Sequence, residues 1–292
     1  MENNIIANKS KIYTSSEFIK NIFKVNIMEL VTASILLSIH CLMILTAKFT
    51  ILRVIPVQLE FILYIFYGLL LGPFKGGVLA IIGDTLLMLL TGSIGTWFWL
   101  YAIVPPLISI VSWLYLIMFQ KTKYTRFIVS FALTITAFIL TVYIYLSHCN
   151  EDGTFSLTKK IAASKTLIMI MIIVLGIASI LISIVFTTLY FVTKNDKWNY
   201  YMMVTSLIIF VSVIFRWVLG PVSYIEWFNY IHHANENSKL KHYGTDFIIL
   251  FVKIVIKDLF VIPIYISVLT PIFVVASILK EKYLINYKKN RY

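Results

Sequence analysis

The stretch that decides the fold is residues 68–89, which have the sequence GLLLGPFKGGVLAIIGDTLLML. Apolar runs lie on both sides of the dipeptide Gly72-Pro73. Because proline lacks a backbone N–H and fixes its own φ, this dipeptide predicts a tight turn between two short apolar helices. The second helix carries Asp84 near its middle, where a carboxylate must find a donor or stay protonated.

The composition of the whole chain is that of a membrane protein. Of the 292 residues, 60% are hydrophobic and 13% are charged, whereas about a quarter of a soluble chain is charged. Apolar runs recur along the whole chain, and several reach the roughly 20 residues that a spanning helix needs. They lack the alternation of membrane β-strands. The sequence therefore predicts an all-α polytopic integral membrane protein.

Eight apolar segments are candidates for membrane spans, and they predict about eight transmembrane helices. These segments are 27–47, 57–71, 76–91, 97–119, 126–147, 165–192, 199–219 and 246–279. In the last of them, Pro263 and Pro271 predict a kink or an emergence from the bilayer.

The spans imply a simple domain organisation. A cytoplasmic N-terminal segment, 1–26, precedes a single transmembrane domain over 27–280, and a basic cytoplasmic tail follows over 281–292. The connection 220–245 is predicted to be an outer loop.

The charge distribution orients these spans. If the N-terminus lies inside, the inside segments hold most of the 25 Lys and Arg residues, as the positive-inside rule requires. The expected location is the cell membrane, with many passes and with both termini cytoplasmic. The net charge of +12 then follows from topology, and nucleic acid is not expected as a partner because the basic residues form no soluble patch.

The sequence shows no catalytic constellation. It contains no GxxxxGK[ST], HExxH or GxSxG pattern, so we expect a non-enzymatic protein. No metal and no cofactor are predicted, since the histidines of the 220–245 connection are better explained by a hydrated loop. A membrane scaffold without a small-molecule site stays open as an alternative, and a lipid enzyme is the least favoured one.

Charged residues inside the predicted spans are the candidates for a functional site, because an intramembrane charge costs about 2.5–3.5 kcal/mol on insertion scales. They are Glu60, Asp84, Arg216, Lys253 and Lys257. Two interpretations remain equally open at this point. The charges either bind a ligand or form an internal ion-pair network.

Small and aromatic residues add two weaker signals. Ala33, Ser34 and Ser38 on the first span permit close approach of another helix. Trp97 and Trp99 belong to an aromatic group that is typical of a membrane interface, or less often of a surface on which a flat ring stacks.

Residues 68–89 resemble the junction between the second and third helices in the S components of energy-coupling factor (ECF) transporters. The residues that carry the likeness are Gly68, Gly72, Pro73, Gly76, Gly77, Gly83 and Asp84. The preceding segment, 47–68, resembles the outer loop and second helix of that family. Its Lys48-Phe49 pair and Arg53 stand where folate-type members have a basic-aromatic pair and a polar loop.

Later segments resemble the same folate-type branch in the same order. Residues 91–116 are similar to its loop and fourth helix, although Trp97-Phe98-Trp99 replaces the usual Pro-Gly-Phe. Residues 216–228 and 253–264 are similar to its fifth helix, outer loop and sixth helix. The resemblance implies a six-helix S-component core, in which 120–198 is an inserted helical hairpin.

The resemblance implies a protein that captures a water-soluble vitamin, most of all folate or a related pterin, with riboflavin or another vitamin as the alternative. The expected partners are a transmembrane coupling subunit and two cytoplasmic ATPases, with Ala33, Ser34 and Ser38 on the coupling face. Aromatic walls and cations for a pterin-glutamate ligand are expected from the remaining candidates. These are Lys48, Phe49, Arg53, Trp97, Trp99, Arg216, Trp217, Lys253 and Lys257.

Overall fold

The computed structural model describes residues 26–49, 60–148, 154–158, 161–233 and 240–289. Within these ranges the chain is almost entirely helical. The helices are α1 Ile27–Phe49, α2 Glu60–Leu71, α3 Pro73–Leu90, α4 Trp99–Lys121, α5 Lys123–His148, α6 Lys165–Thr193, α7 Lys197–Val211, α8 Leu219–His232 and α9 Thr245–Lys289. A π-helical segment, Ser212–Val218, joins α7 to α8, and a 3-10 turn, Ile94–Thr96, precedes α4.

The prediction of a helical polytopic membrane protein is confirmed. Among the described residues, six helical stretches are long and apolar enough to cross a bilayer, and α2 is a shorter apolar helix. The six are Ile27–Thr46, Pro73–Leu90, Trp99–Phe119, Tyr124–His148, Lys165–Thr193 and Lys197–His232. Each of the eight predicted spans overlaps a helical segment of the described residues.

The turn between α2 and α3 forms where the Gly-Pro pair predicts it. Gly72 has a φ of 88°, a conformation that favours glycine, and Pro73 opens α3 at a position that needs no N–H donor. A Cβ on Gly68 would collide with the backbone of Ser109 on α4. The Ser109 hydroxyl donates to the Tyr64 carbonyl at 2.9 Å. These contacts hold α2, α3 and α4 together as one tightly packed unit.

A β-hairpin connects α5 to α6. Strands β1 Thr154–Thr158 and β2 Ile161–Ser164 pair antiparallel, and Thr154 lies opposite Ser164. The two helices that it connects pack on each other and on α7. The predicted segment 120–198 is thus a helical pair, and its status as an insertion remains a prediction.

The prediction of an outer loop over 220–245 is wrong for its first half. The chain runs as one helical stretch from Lys197 to His232 despite Pro221. The wide π-helical turn directly before Pro221 makes room for a residue that has no N–H and a bulky ring. Pro221, Ser223 and Ile225 are buried, so packing against the bundle stabilises the helix there.

The final helix is longer than its predicted span. Helix α9 passes through Pro263 and Pro271 without a break and includes the backbone of 281–289, which was assigned to the basic tail. Its uncharged stretch 259–279 would be about 31 Å long as a helix, the thickness of a bilayer's hydrocarbon core. Lys257 and Asp258 therefore lie at one boundary of that stretch.

A buried charged cluster as candidate functional site

Arg216 and Asp258 form a buried ion pair between the π-helical segment and α9. The Arg216 Nη2 and Asp258 Oδ1 atoms are 2.7 Å apart, and the two side chains are 2% and 0% exposed. Arg216 also donates from Nη1 to the Tyr265 hydroxyl at 3.2 Å. Its guanidinium lies over the Phe61 ring of α2, 5.3 Å from the ring centroid. The pair thus joins three helices from distant parts of the chain.

The π-helical segment explains why two consecutive residues reach one carboxylate. Trp217 donates from Nε1 to Asp258 Oδ2 at 2.8 Å, while Arg216 approaches Oδ1. A π-turn has more residues than an α-turn, so consecutive side chains diverge by a smaller angle around the axis. Such turns occur often at functional sites.

The ion pair leaves hydrogen-bonding capacity unused. Arg216 Nε has no hydrogen-bond partner among the described residues, and Asp258 Oδ1 has none there either, although it makes the ion-pair contact with Nη2. Buried polar groups are nearly always satisfied, because an unmade bond costs about 1–3 kcal/mol. One donor and one acceptor of this buried ion pair therefore keep hydrogen-bonding capacity for a further group.

Two further charges belong to the same cluster. Lys257, next to Asp258 on α9, is half-buried and lies within electrostatic range of Arg216, Asp258 and Glu60. Glu60, at the start of α2, interacts electrostatically with Arg216, Lys257 and Asp84. The cluster thereby contains both signs of charge, and Glu60 connects it to the carboxylate of α3.

A second group of polar side chains extends from Glu60 towards α1. The Tyr64 hydroxyl donates to Asp84 Oδ1 at 3.2 Å, which supplies the donor that this mid-span carboxylate needs. The Tyr64 ring meets the His40 ring edge to face, with centroids 5.5 Å apart. His40 is fully buried, and its Nδ1 lies 2.7 Å from the Tyr67 hydroxyl.

Helix α8 crosses near the start of α4. The ring of Tyr230 lies 5.8 Å from Phe98, and Tyr224 is within electrostatic range of Tyr101. The segment that returns from α8 is fastened to it by Asn229, which donates to the Lys241 carbonyl at 3.0 Å and accepts from its N–H at 2.8 Å. Lys241 Nζ also lies over the ring of Phe228, 4.8 Å from its centroid.

The cluster lies far from one charged end of the bundle. Arg126 and Asp196 mark that end with a contact of 3.9 Å. Arg216 follows Lys197 along the same helical stretch by about 28 Å at 1.5 Å per residue. This distance is close to the thickness of the hydrocarbon core, so the cluster lies towards the opposite side of the membrane.

Three of the predicted ligand-binding residues come together in the cluster, namely Arg216, Trp217 and Lys257. Lys253, one helical turn before Lys257, is exposed on α9 instead. The i, i+4 spacing placed both lysines on one face, but the neighbouring helices cover only the later one.

The other predicted ligand residues are not brought to the cluster by any described contact. Trp97 and Trp99 are 52% and 57% exposed, while Phe98 between them is buried. Lys48 and Phe49 lie in the last turn of α1, and Arg53 lies outside the described residues.

The predicted partner face of α1 divides into two parts. Ser34 and Ser38 are exposed, and their hydroxyls donate to backbone carbonyls of their own helix. Ala33 instead packs against the protein's own core. Only the two serines therefore remain on an outward face.

Sequence reasoning missed several members of the site. His40, Tyr67 and Tyr265 are buried polar residues within apolar runs, and no motif distinguishes them from core aromatic residues. An ionisable residue inside an apolar spanning helix is by itself a candidate for a functional site, and this criterion would have identified His40.

No protein-family model matches this chain, and neither a curated protein nor a solved structure matches it at a significant level.

Proposed function

We propose that this protein is the substrate-capturing S component of an ECF-type importer. In this function it binds a water-soluble vitamin on the outer side of the cell membrane. The observation that carries the proposal is the buried cluster, in which Arg216 Nε and Asp258 Oδ1 have no hydrogen-bond partner among the described residues. A ligand group that presents an acceptor and a donor would satisfy both atoms.

The arrangement of the cluster favours a small polar solute over a lipid or a protein segment. Its charged groups lie inside the bundle, where Arg216 and Asp258 are almost inaccessible, and Lys257 adds a half-buried cation. A carboxylate on the solute would interact with Lys257 and Arg216. Folate or a related pterin is the first candidate, and riboflavin or another vitamin is the alternative.

The proposed topology has about eight transmembrane helices and cytoplasmic termini. The charged end near Arg126 and Asp196 is then cytoplasmic, and α8 and the β-hairpin lie on the outer side. A transmembrane coupling subunit and two ATPases would supply the energy, and the exposed Ser34 and Ser38 of α1 are available for contact with the former.

Ligand binding tests the first half of this proposal. The purified protein in detergent should show a saturable rise in melting temperature with one member of a panel of water-soluble vitamins. Lys257→Gln should raise, at least tenfold, the ligand concentration that gives half of this rise. Lys253→Gln, one helical turn earlier, is the matched control and should leave that concentration unchanged. No saturable response to any vitamin would contradict capture.

Affinity purification from the native membrane tests the second half. A coupling subunit and two ATPase subunits should co-purify with the tagged chain, and Ser34→Phe should reduce their recovery. Recovery of the chain without any ATPase would contradict an ECF-type assembly.

One observation favours a scaffold without a small-molecule site, namely that Arg216 is already held by Asp258 and Tyr265. On that hypothesis, Arg216 and Lys257 variants change only stability. The vitamin panel separates the two hypotheses because a scaffold shows no saturable ligand.

A further inference from the structure

A groove between α5 and α6 lies outside the proposed capture site. It encloses about 590 Å³, and every residue that lines it is apolar or aromatic. Val142 and Leu146 line the α5 side, and Met169 and Ile173 line the α6 side. The groove opens outward, since its lining residues Ile139, Leu146 and Ile177 are each at least half exposed.

The inner end of the groove is set by a close crossing of the two helices. A Cβ on Gly176 would collide with the ring of Phe138, so only glycine lets this ring lie against α6. From this crossing the groove extends along α5 as far as Leu146, about 12 Å at 1.5 Å per residue. The lining therefore extends from this crossing along both helices towards the β-hairpin.

We infer that this groove binds one acyl chain of an anionic phospholipid, drawn from the leaflet on the side of the β-hairpin. The helix Lys165–Thr193 contains an 18-residue window with a mean hydropathy of 3.1, and an outward groove on such a helix faces hydrocarbon. Gly176 lies about 17 Å from the start of α6, close to the roughly 15 Å depth of one leaflet. The groove thus matches a lipid chain in polarity and in length.

The charge at the water end fits an anionic headgroup. Lys165 precedes Met169 by one helical turn and begins the stripe that continues through Ile173 and Ile177. Side chains on a helix lean towards its N-terminus, which directs the Lys165 ammonium towards the headgroup region. A phosphate is the anion available at that depth.

A second membrane helix fits the groove less well. A partner helix that crosses the bilayer needs a contact stripe of about 30 Å, whereas the lining of this groove covers only about 12 Å along each helix. Small residues that would admit a helix backbone are absent from the lining, which consists of large side chains.

Photolabelling in vesicles of phosphatidylglycerol and phosphatidylcholine tests the inference. A phosphatidylglycerol probe with a diazirine on its acyl chain should label α5 and α6 in the intact protein. Ile173→Trp should reduce this labelling several-fold because the indole fills the groove. Val174→Trp is the matched control, since Val174 is 57% exposed and lies one position around the helix, outside the groove lining.

The labelling of the two variants and the preference for one lipid headgroup test the inference separately. Equal labelling of Ile173→Trp and Val174→Trp proteins would show bulk lipid contact only and would overturn the inference. Absence of label from the groove in the intact protein would point to a protein occupant and would also overturn it. Val142→Met fills the groove from the opposite wall if Ile173→Trp fails to fold. Lys165→Gln should lower the preference for phosphatidylglycerol over phosphatidylcholine, and an unchanged preference would overturn the headgroup assignment.

Discussion

The guanidinium of Arg216 and the carboxylate of Asp258 approach to 2.7 Å, yet the two groups share no aligned hydrogen bond. Removing two charges from water costs several kcal/mol for each, and their attraction offsets this only if the remaining donors and acceptors are satisfied. Arg216 Nε and Asp258 Oδ1 remain unsatisfied among the described residues. The pair therefore stabilises the bundle less than a fully bonded one, and this is the basis of the proposed binding site.

Breaking the ion pair should destabilise the protein strongly. Asp258→Ala leaves Arg216 buried without its counter-charge, and we expect a loss of about 3–5 kcal/mol in the free energy of unfolding. The double variant Arg216→Met, Asp258→Leu should recover much of that loss because it buries no charge. Chemical unfolding in detergent, followed by circular dichroism, measures both.

The control for the ion pair is Lys253→Ala, which removes an exposed charge and should change the unfolding free energy by no more than about 0.5 kcal/mol. A double variant as unstable as Asp258→Ala would contradict this account of the pair.

Tyr67→Phe should destabilise the contact between α1 and α2. The substitution removes the hydroxyl that lies 2.7 Å from His40 Nδ1, and His40 Nε2 already has no hydrogen-bond partner among the described residues. We expect a loss of about 1–3 kcal/mol, the cost of an unsatisfied buried polar group. Thermal and chemical unfolding report this loss.

Tyr143→Phe is the matched control for Tyr67→Phe, because Tyr143 is 68% exposed and Tyr67 is fully buried. If both variants lose the same stability, the hydrogen bond with His40 contributes nothing measurable.

Tryptophan fluorescence should separate the buried Trp217 from the exposed pair. In variants that keep one tryptophan each, brominated phospholipids should quench Trp97 and Trp99 strongly and Trp217 weakly. The reason is that Trp97 and Trp99 are 52% and 57% exposed, whereas Trp217 is 6% exposed. Strong quenching of Trp217 would mean that the cluster is open to lipid and would contradict its enclosure.

The segment that returns from α8 should lose stability at high pH. Partial burial, together with the hydrogen bond that Tyr243 donates to Glu226, raises the pKa of the Tyr243 phenol to about 12. Because the folded state favours the neutral phenol, its contribution is complete below pH 10. The contribution disappears as the pH rises through about 12.

Tyrosine ¹³Cζ chemical shifts measure this titration, and the Tyr243 signal is assigned by its loss in Tyr243→Phe. Glu226→Gln should lower the pKa of Tyr243 towards the ordinary value because a neutral acceptor no longer opposes ionisation. An unchanged titration in Glu226→Gln would show that burial alone causes the shift.

The sequence was sufficient to predict the local structure where one backbone preference decides it. Gly72 and Pro73 form the predicted turn because no other residue pair tolerates that backbone as well. The prediction failed at Pro221, where the span 199–219 was expected to give way to an outer loop. A π-helical segment lies just upstream of Pro221, and two of its residues, Arg216 and Trp217, contact Asp258.

The sequence by itself determined that this chain is a helical membrane protein, because apolar length and scarcity of charge leave no other way to satisfy the backbone in lipid. It also selected Arg216 and Lys257, since an intramembrane charge is conspicuous without any structure. Only the tertiary structure decided which residues meet, namely that Asp258 and Tyr265 join Arg216 and that His40 lies against Tyr67, while Lys253 faces outward. The reason is that the angle around each helix and the crossing of its neighbours, and not the spacing along the chain, decide which side chains come into contact.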